Sequence, residues 1–472
     1  KRISVDADSL IAQFGTINKI KFHESQSGAV KAALVNGATV ITGGPGTGKT
    51  TIIKCIGQIL TSQGLRVLFC APTGRASKRI TQSTGFEAKT IHRMLGFEAV
   101  EDRMLFKYNR TNPLPCDAVI VDEVSMVDVN IMYNLLCAIP SGARLILVGD
   151  KDQLPSVGAG NVLADVIRSG VIEIRYLTHI YRQSEDSLIV SNAHLINHGH
   201  MPEINNRSKD FFYTALTDYP EIADTVIGLV TKRLPGYTGV APMDIQVLAA
   251  LKSGVCGVEN INKRLQEAIN PRVYGKNEIT VGNNLFRVGD KVMQTVNDYE
   301  LPFVNYGEGA PEEGQGVFNG DIGTVKSIDR ANGIVEVWYD DNRLATYGEA
   351  DLSDLQLAYA ITIHKSQGSE FDVVVIPLVS GPPTLINKNL LYTAITRAKR
   401  AVVIVGSKKI LAMMVHNNYI AARTTNLCRF LQEEQTKYLR YFSAEARNNQ
   451  SAPQDEYDGG MPLDFDAEDL LQ

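Results

Sequence analysis

Cysteine is sparse: six residues are scattered through a 472-residue chain, and no two form a C-x-x-C pair. That spacing excludes a disulfide-stapled scaffold and a thiolate zinc site, and implies a reducing, cytoplasmic setting. Long apolar runs are also missing. None approaches the ~20 residues that cross a bilayer, so no membrane partner is expected. No secretory leader opens the chain. It starts at Lys1 rather than Met, as expected of a processed chain or one cut from a longer protein. No internal repeat is visible. Positive charge is short too: the net charge is −5. However, residues 448–472 hold seven acidic side chains and no basic one, so the rest of the chain stands at +2. Global charge therefore neither excludes nor supports nucleic acid, for which a local basic groove suffices.

What is present begins with GGPGTGKT at residues 43–50, which fits G-x-x-x-x-G-K-[ST] at every fixed position. The apolar run at 38–42 predicts a strand before it, and Thr51 to Leu60 predicts a helix after it. A glycine-rich loop in that context cradles phosphates on its backbone N–H groups at a helix start. Gly43, Gly44, Pro45, Gly46, Thr47, Gly48, Lys49, Thr50 and Thr51 are the expected nucleotide contacts. Lys49 is assigned to the β- and γ-phosphates and the Thr50 hydroxyl to Mg²⁺.

Three further apolar runs, at 67–73, 118–123 and 144–150, end in polar residues, the pattern of a parallel sheet covered on both faces. Asp122 and Glu123 end the second run, so Asp122 can hold Mg²⁺ while Glu123 polarises an attacking water. Gln153, in GDKDQLPSVG, follows the third and can touch a γ-phosphate. Gln26, before the first helix, offers an amide that matches adenine N6 and N7. Arg182 and Arg397 are candidate guanidinium fingers for the transferring phosphoryl group.

The predicted organisation is α/β. Residues 1–35 form a helical lead-in and 36–185 a first α/β unit with a hairpin near 96–112. A second unit occupies 186–283 and 353–435 and is interrupted at 284–352 by short alternating strands that predict a small β-barrel. Residues 436–472 are expected to be an acidic, disordered tail. Its end, MPLDFDAEDLLQ, suits a basic protein partner or serves solubility. Phe97, Tyr108, Phe303 and Tyr306 are aromatics able to stack on bases, at ~1–3 kcal/mol each.

In order, Gln26, GGPGTGKT, APTGRAS, TIHRML, VDEVSM, GDKDQLPSVG, YRQ, TIHKSQGSEFD and YTAITRAKR resemble the superfamily 1 DNA helicases, most nearly their RecD-like branch. FRVGDKVMQ with VFNGDIGTV is similar to the SH3-like insertion of that branch. The resemblance covers residues 20–430 and implies two RecA-like P-loop motor domains, an SH3-like β-barrel insertion and a β-hairpin pin. It further implies ATP and Mg²⁺, 5′→3′ movement on single-stranded DNA as a monomeric motor, and a single-strand/duplex junction as substrate. Carried onto this chain, the strand contacts are Thr73, Arg75, Thr90, His92 and Arg93 in the first unit. In the second they are Thr362, His364, Lys365 and Gln367, with Gly368 and Glu370 near the ribose. Such short hydroxyl, amide and cationic side chains suit phosphate contacts better than base reading. The usual proline near Ala250 is missing, as is an N-terminal region of helical repeats. An RNA helicase, a translocase that does not unwind, a nucleotide-gated scaffold and a motor serving a nuclease or conjugation assembly remain open alternatives.

Overall fold

Apolar runs bounded by polar strand ends assemble into two parallel sheets. The computed structural model describes residues 6–100, 103–179, 187–205, 208–307, 310–339, 342–419, 423 and 425–448. The first sheet uses β1 (Ala38–Gly43), β2 (Val67–Ala71), β3 (Ala88–Thr90), β6 (Ala118–Val121), β7 (Arg144–Gly149) and β8 (Glu173–Leu177). They run in the order β3-β2-β6-β7-β1-β8, every neighbour parallel. All four residues of β6 and all six of β7 are buried, as strands covered on both faces must be. Between β3 and β6, β4 (Phe97–Val100) and β5 (Arg103–Phe106) pair antiparallel as the hairpin.

Helices α1 (Ala7–Asn18) and α2 (Glu24–Val35) precede β1. Ala29, Val30, Ala33 and Leu34 of α2 pack with Ile41, Ile52 and Ile56, so the lead-in is part of the first domain's core. Helix α3 (Lys49–Ser62) follows the phosphate loop, α4 (Gly74–Thr84) follows β2, and α5 (Ile91–Leu95) follows β3.

The second sheet contains β9 (Phe211–Ala215), β10 (Ile245–Ala249), β20 (Ala360–Thr362), β21 (Phe371–Leu378) and β22 (Ala398–Gly406), again all parallel, in the order β20-β10-β21-β22-β9. Inserted between β10 and β20 are the hairpin β11 (Glu278–Val281) and β12 (Asn284–Arg287) and a seven-stranded antiparallel sheet. That sheet holds β13 (Lys291–Gln294), β14 (Asp298–Asn305), β15 (Glu312–Val317), β16 (Ile322–Asp329), β17 (Ile334–Tyr339), β18 (Arg343–Tyr347) and β19 (Leu355–Leu357). Buried Asp290 anchors it to the second motor domain by accepting from the Tyr359 hydroxyl at 2.9 Å and Asn270 Nδ2 at 2.6 Å.

The end of the described chain differs from expectation. Residues 427–448 form one helix, so the stretch expected to start a tail at 436 is helical as far as Asn448. Leu427 and Leu431 pack on the first motor domain, not the second, and Gln432 Nε2 donates to the Ser169 carbonyl at 3.2 Å. Arg423 donates to Ser156 Oγ, Gly158 O and Gly160 O at 3.2, 2.8 and 2.7 Å. After the second sheet the chain thus straps back onto the first. The acidic residues beyond 448 lie outside the described residues.

Candidate nucleotide site and strand cleft

The phosphate loop leaves β1 and turns directly into α3, with Gly46 and Gly48 at φ +72° and +81°, where a side chain is strained. Lys49 opens the helix and its Nζ donates to the carbonyls of Gly43 and Gly44 at 2.6 and 3.0 Å. Thr50 and Thr51 follow in the first turn, where free N–H groups and the helix dipole favour an anion. Thr47 Oγ1 donates to Gly44 O at 2.8 Å. Gln26 is buried with both ends of its amide engaged: Nε2 donates to Thr47 O at 2.9 Å, and Oε1 accepts from His23 N at 3.2 Å. In this arrangement Gln26 braces the loop from behind.

Asp122 and Glu123 leave β6 into the same space, 2% and 3% exposed. Glu123 adopts φ +54°, a strained conformation for a branched-chain-free but non-glycine residue, and such strain concentrates at functional sites. Burial, with the Glu123 charge beside it, raises the Asp122 carboxyl above the ordinary range. Burial pushes Glu123 the same way, but Arg79, then Arg397 and Lys49, outweigh it and hold its carboxyl low. Arg79, Arg397 and Lys49 therefore converge on Glu123. Arg397 is 3% exposed and is fixed by Nε to Thr393 O at 3.3 Å and Nη1 to Ser369 O at 3.2 Å. Arg182 lies outside the described residues. Thr50 and Asp122 supply the hard oxygen donors that suit Mg²⁺, which is usually held by one or two carboxylates plus substrate phosphates.

Sequence reasoning missed three residues here. Arg79, on α4, donates through Nη2 to Glu123 Oε1 at 2.7 Å and Asp122 Oδ2 at 3.4 Å, and through Nη1 to Glu370 Oε1 at 2.7 Å. Burial disfavours its charge, but Glu123, Asp122 and Glu370 reverse this and raise its basicity further. Tyr392 donates to Asp150 Oδ2 at 2.8 Å. His194 brings Nε2 to within 3.8 Å of the point where a Cβ on Gly44 would stand, while the Tyr392 hydroxyl comes to 2.9 Å of it. His194 Nε2 is buried without a hydrogen-bond partner among the described residues, and burial, then His198, lowers the pKa of the ring. Only the abutment of the two domains makes Tyr392 and His194 neighbours of the loop.

Segment 150–154 joins this site to a second one. Gln153 is buried; its Nε2 lies 3.3 Å from Asp150 Oδ2, and its Oε1 has no partner among the described residues. Leu154 N donates to Thr393 Oγ1 at 3.1 Å, and Leu154 O accepts from Gln367 Nε2 at 2.9 Å.

Gln367 lines a cleft of about 430 Å³ between the motor domains and the inserted sheet. The first domain contributes Thr73, Arg75, Thr90 and His92 to it; the second contributes Thr362, His364, Lys365 and Gln367. Eight of the nine expected strand contacts therefore share one cleft. Thr73 and Thr90 cap α4 and α5, accepting from Ala76 N at 3.3 Å and Arg93 N at 3.2 Å, which explains hydroxyls at those strand ends. Burial lowers the pKa of His92, His364 and Lys365, with Lys252 adding to the last. The ninth residue, Arg93, turns to the insertion: Nη2 donates to Gln315 O at 2.9 Å and the guanidinium lies 4.5 Å over the Phe318 ring. Gly368 backs onto Thr73, its would-be Cβ 2.8 Å from Thr73 Oγ1, and Glu370 holds Arg79 and Lys399.

The four candidate stacking aromatics are engaged within the protein. Phe97 lies 4.6 Å from Tyr299 of the insertion, and Tyr306 stacks on Trp338 at 5.5 Å. Phe303 and Tyr108 face Arg343 and Lys107.

Comparison with known proteins agrees with this arrangement. Three family models match in sequence: an AAA domain at residues 26–159, the SH3 domain of ATP-dependent RecD-like DNA helicases at 261–339, and a UvrD-like helicase C-terminal domain at 357–405. The ATP-dependent RecD2 DNA helicase of Deinococcus radiodurans is 36% identical over 377 residues, covering 80% of this chain and 48% of that protein. The chain thus spans about half the length of that relative. The RecBCD enzyme subunit RecD of Mycolicibacterium smegmatis is 32% identical, covering 82% of this chain and 71% of that subunit. Two Pif1 structures share the fold with a TM-score of 0.50 each. One, of paired Pif1 helicases at forked double-stranded DNA, is 19% identical and covers 90% of this chain and 98% of its own. The other, Pif1 from Candida albicans, is 18% identical and covers 88% and 99%.

Proposed function

The chain belongs to the RecD-like branch of the superfamily 1 DNA helicases, and on that footing we propose that it is an ATP-driven motor that moves 5′→3′ along single-stranded DNA and parts duplex at a junction. The observation that carries this reading is segment 150–154. Asp150 bonds Tyr392 beside the phosphate loop, and Leu154 bonds Gln367 in the strand cleft. A shift between the domains at the nucleotide is therefore felt at the strand.

In the proposed cycle the 43–51 backbone and Lys49 hold the phosphates. Mg²⁺, held by Thr50 and Asp122, would neutralise phosphate charge. Glu123 orients the attacking water, with Gln153 Oε1, which has no partner among the described residues, as a second acceptor. Arg397, with Arg182, stabilises charge on the phosphoryl group in transfer. The two walls of the cleft hold the DNA backbone in alternation, and the hairpin at Phe97–Val100 and Arg103–Phe106 stands where strands separate. Base-pair steps of ~1.4 kcal/mol make unwinding feasible for such a motor. Action as a monomer, in the cytoplasm and in repair or recombination is part of the proposal.

Strand displacement on paired substrates tests it. With ATP and Mg²⁺, a 5′ single-stranded overhang supports unwinding and a 3′ overhang does not. Unwinding from the 3′ overhang alone contradicts the assigned polarity. Stimulation of turnover by single-stranded RNA as strong as by DNA would favour an RNA motor.

A further inference from the structure

Helix α4 reaches both sites. Its N-cap Thr73 and first-turn Arg75 line the strand cleft. Arg79 stands one turn beyond Arg75, on the same face at i+4 spacing, and there it enters the nucleotide side. Its guanidinium is a fork with carboxylates on both tines: Glu123 Oε1 at 2.7 Å on one and Glu370 Oε1 at 2.7 Å on the other. Planar guanidinium-to-carboxylate pairs are among the stronger and more directional polar contacts. Glu123 belongs to the first motor domain and Glu370 to the second, so the fork spans the boundary. Lys399, 3.6 Å from Glu370 Oε2, anchors the far end.

The other end of α4 is held against the same turn of the second domain. Arg75 Nη1 donates to Ser369 Oγ at 3.2 Å, and Thr73 Oγ1 lies against Gly368. Residues 368–370 therefore meet α4 twice, once at the strand cleft and once at the hydrolytic carboxylate. A phosphodiester backbone seated between Thr73 and Gln367 would lie against the contact of Thr73 with Gly368, where it could part α4 from this turn. Parting that contact would also open the fork, because Glu370 belongs to the same turn. While the fork is closed, one oxygen of the Glu123 carboxylate, Oε1, is committed to Arg79.

We infer that Arg79 is a positioning residue that makes hydrolysis depend on the strand: the closed fork restrains Glu123, and strand binding at the N-terminal end of α4 releases it. This rests on the proposed role of Glu123 in hydrolysis. A ligand shifts such an equilibrium only through differential interaction with its two states, and the strand supplies that by favouring the parted form.

The test compares ATP turnover with and without a saturating single-stranded oligonucleotide in wild type, Arg79→Ala and Arg79→Lys, with oligonucleotide affinity measured in parallel by fluorescence anisotropy. Arg79→Ala is expected to raise DNA-free turnover about tenfold, equivalent to ~1.4 kcal/mol, and to shrink the DNA stimulation ratio by the same factor. Strand affinity should stay within about twofold of wild type, because Arg79 is outside the strand cleft. Arg79→Lys keeps the charge without the fork and falls between the two; it carries the test alone if the alanine variant does not fold. Unchanged or reduced DNA-free turnover with an intact stimulation ratio overturns the inference. A Lys49→Ala control separates the two levels. If that variant still hydrolyses ATP in a DNA-dependent way, the motor reading itself fails; if it is inactive while the Arg79 ratio is unchanged, only the latch fails.

Discussion

The Tyr392 hydroxyl donates to Asp150 Oδ2 at 2.8 Å, across the boundary between the motor domains and beside the phosphate loop. Both residues are 1% exposed, and burial raises the Asp150 carboxyl pKa, countered by Lys49 and this hydrogen bond. Tyr392→Phe leaves Asp150 with Gln153 and the Asp152 N–H as its donors. The expected cost is ~1–3 kcal/mol of domain docking, seen as a lower melting temperature and a raised KM for ATP with the fold retained.

Gly44 faces the same hydroxyl. A Cβ there would stand 2.9 Å from it, and the buried ring has little room to retreat. Gly44→Ala should therefore disturb the interface through Tyr392. In a double-mutant cycle on ATP affinity, Gly44→Ala and Tyr392→Phe should be less than additive, coupled by ~0.5–3 kcal/mol as for contacting residues. Strict additivity would show that the loop does not feel this contact.

Stability should depend on acidity through His92, His194 and His364, whose pKa values burial lowers. The folded protein then binds these protons less readily than the unfolded chain. The contribution is whole above pH ~6.5 and is lost as pH falls through the lower folded values. Asp150, raised by burial, works in the opposite sense as pH falls. Comparing wild type with His364→Gln isolates the histidine: melting temperature measured from pH 7.5 to 5.5 should fall less steeply in the variant.

The hairpin is braced by the insertion through Phe97 and Tyr299, rings 4.6 Å apart. Phe97→Ala should lower the rate of strand displacement while leaving DNA-stimulated ATP turnover near wild type. Equal loss of both would assign Phe97 to the motor rather than to strand separation.

The apolar strands of both sheets and the phosphate loop were legible because each rests on short-range pattern, whereas the strand-contact residues were implied by the family resemblance. The loop needs only β1, its glycines and α3, and the cleft residues sit at strand ends and helix caps that hydroxyls mark. What escaped is long-range. Arg79 finds Glu370 from 291 residues away and Asp150 finds Tyr392 from 242, and no local period encodes either pair. Arg93 fitted a strand-contact block in sequence, yet its side chain is drawn 222 residues along the chain to Gln315. The helix at 427–448 was hidden by its polar composition; its contact with the first domain rests on few apolar positions, Leu427 and Leu431 among them.

That returning segment has a consequence of its own. Arg423→Ala removes three hydrogen bonds to the 156–160 loop, whose Val157 lines the strand cleft. Expected outcomes are ~1–3 kcal/mol lost stability and weaker strand binding, read by anisotropy. A variant with unchanged melting temperature and strand affinity would make the strap incidental.

The central claim is that a nucleotide held at Lys49 drives work on a strand held in the neighbouring cleft. Steady-state ATP turnover, titrated with single-stranded DNA for wild type and Lys49→Ala side by side, tests it most directly. Turnover that rises and saturates with DNA in wild type and is abolished in the variant is the predicted result. Turnover indifferent to DNA, or unaltered by loss of Lys49, would contradict it.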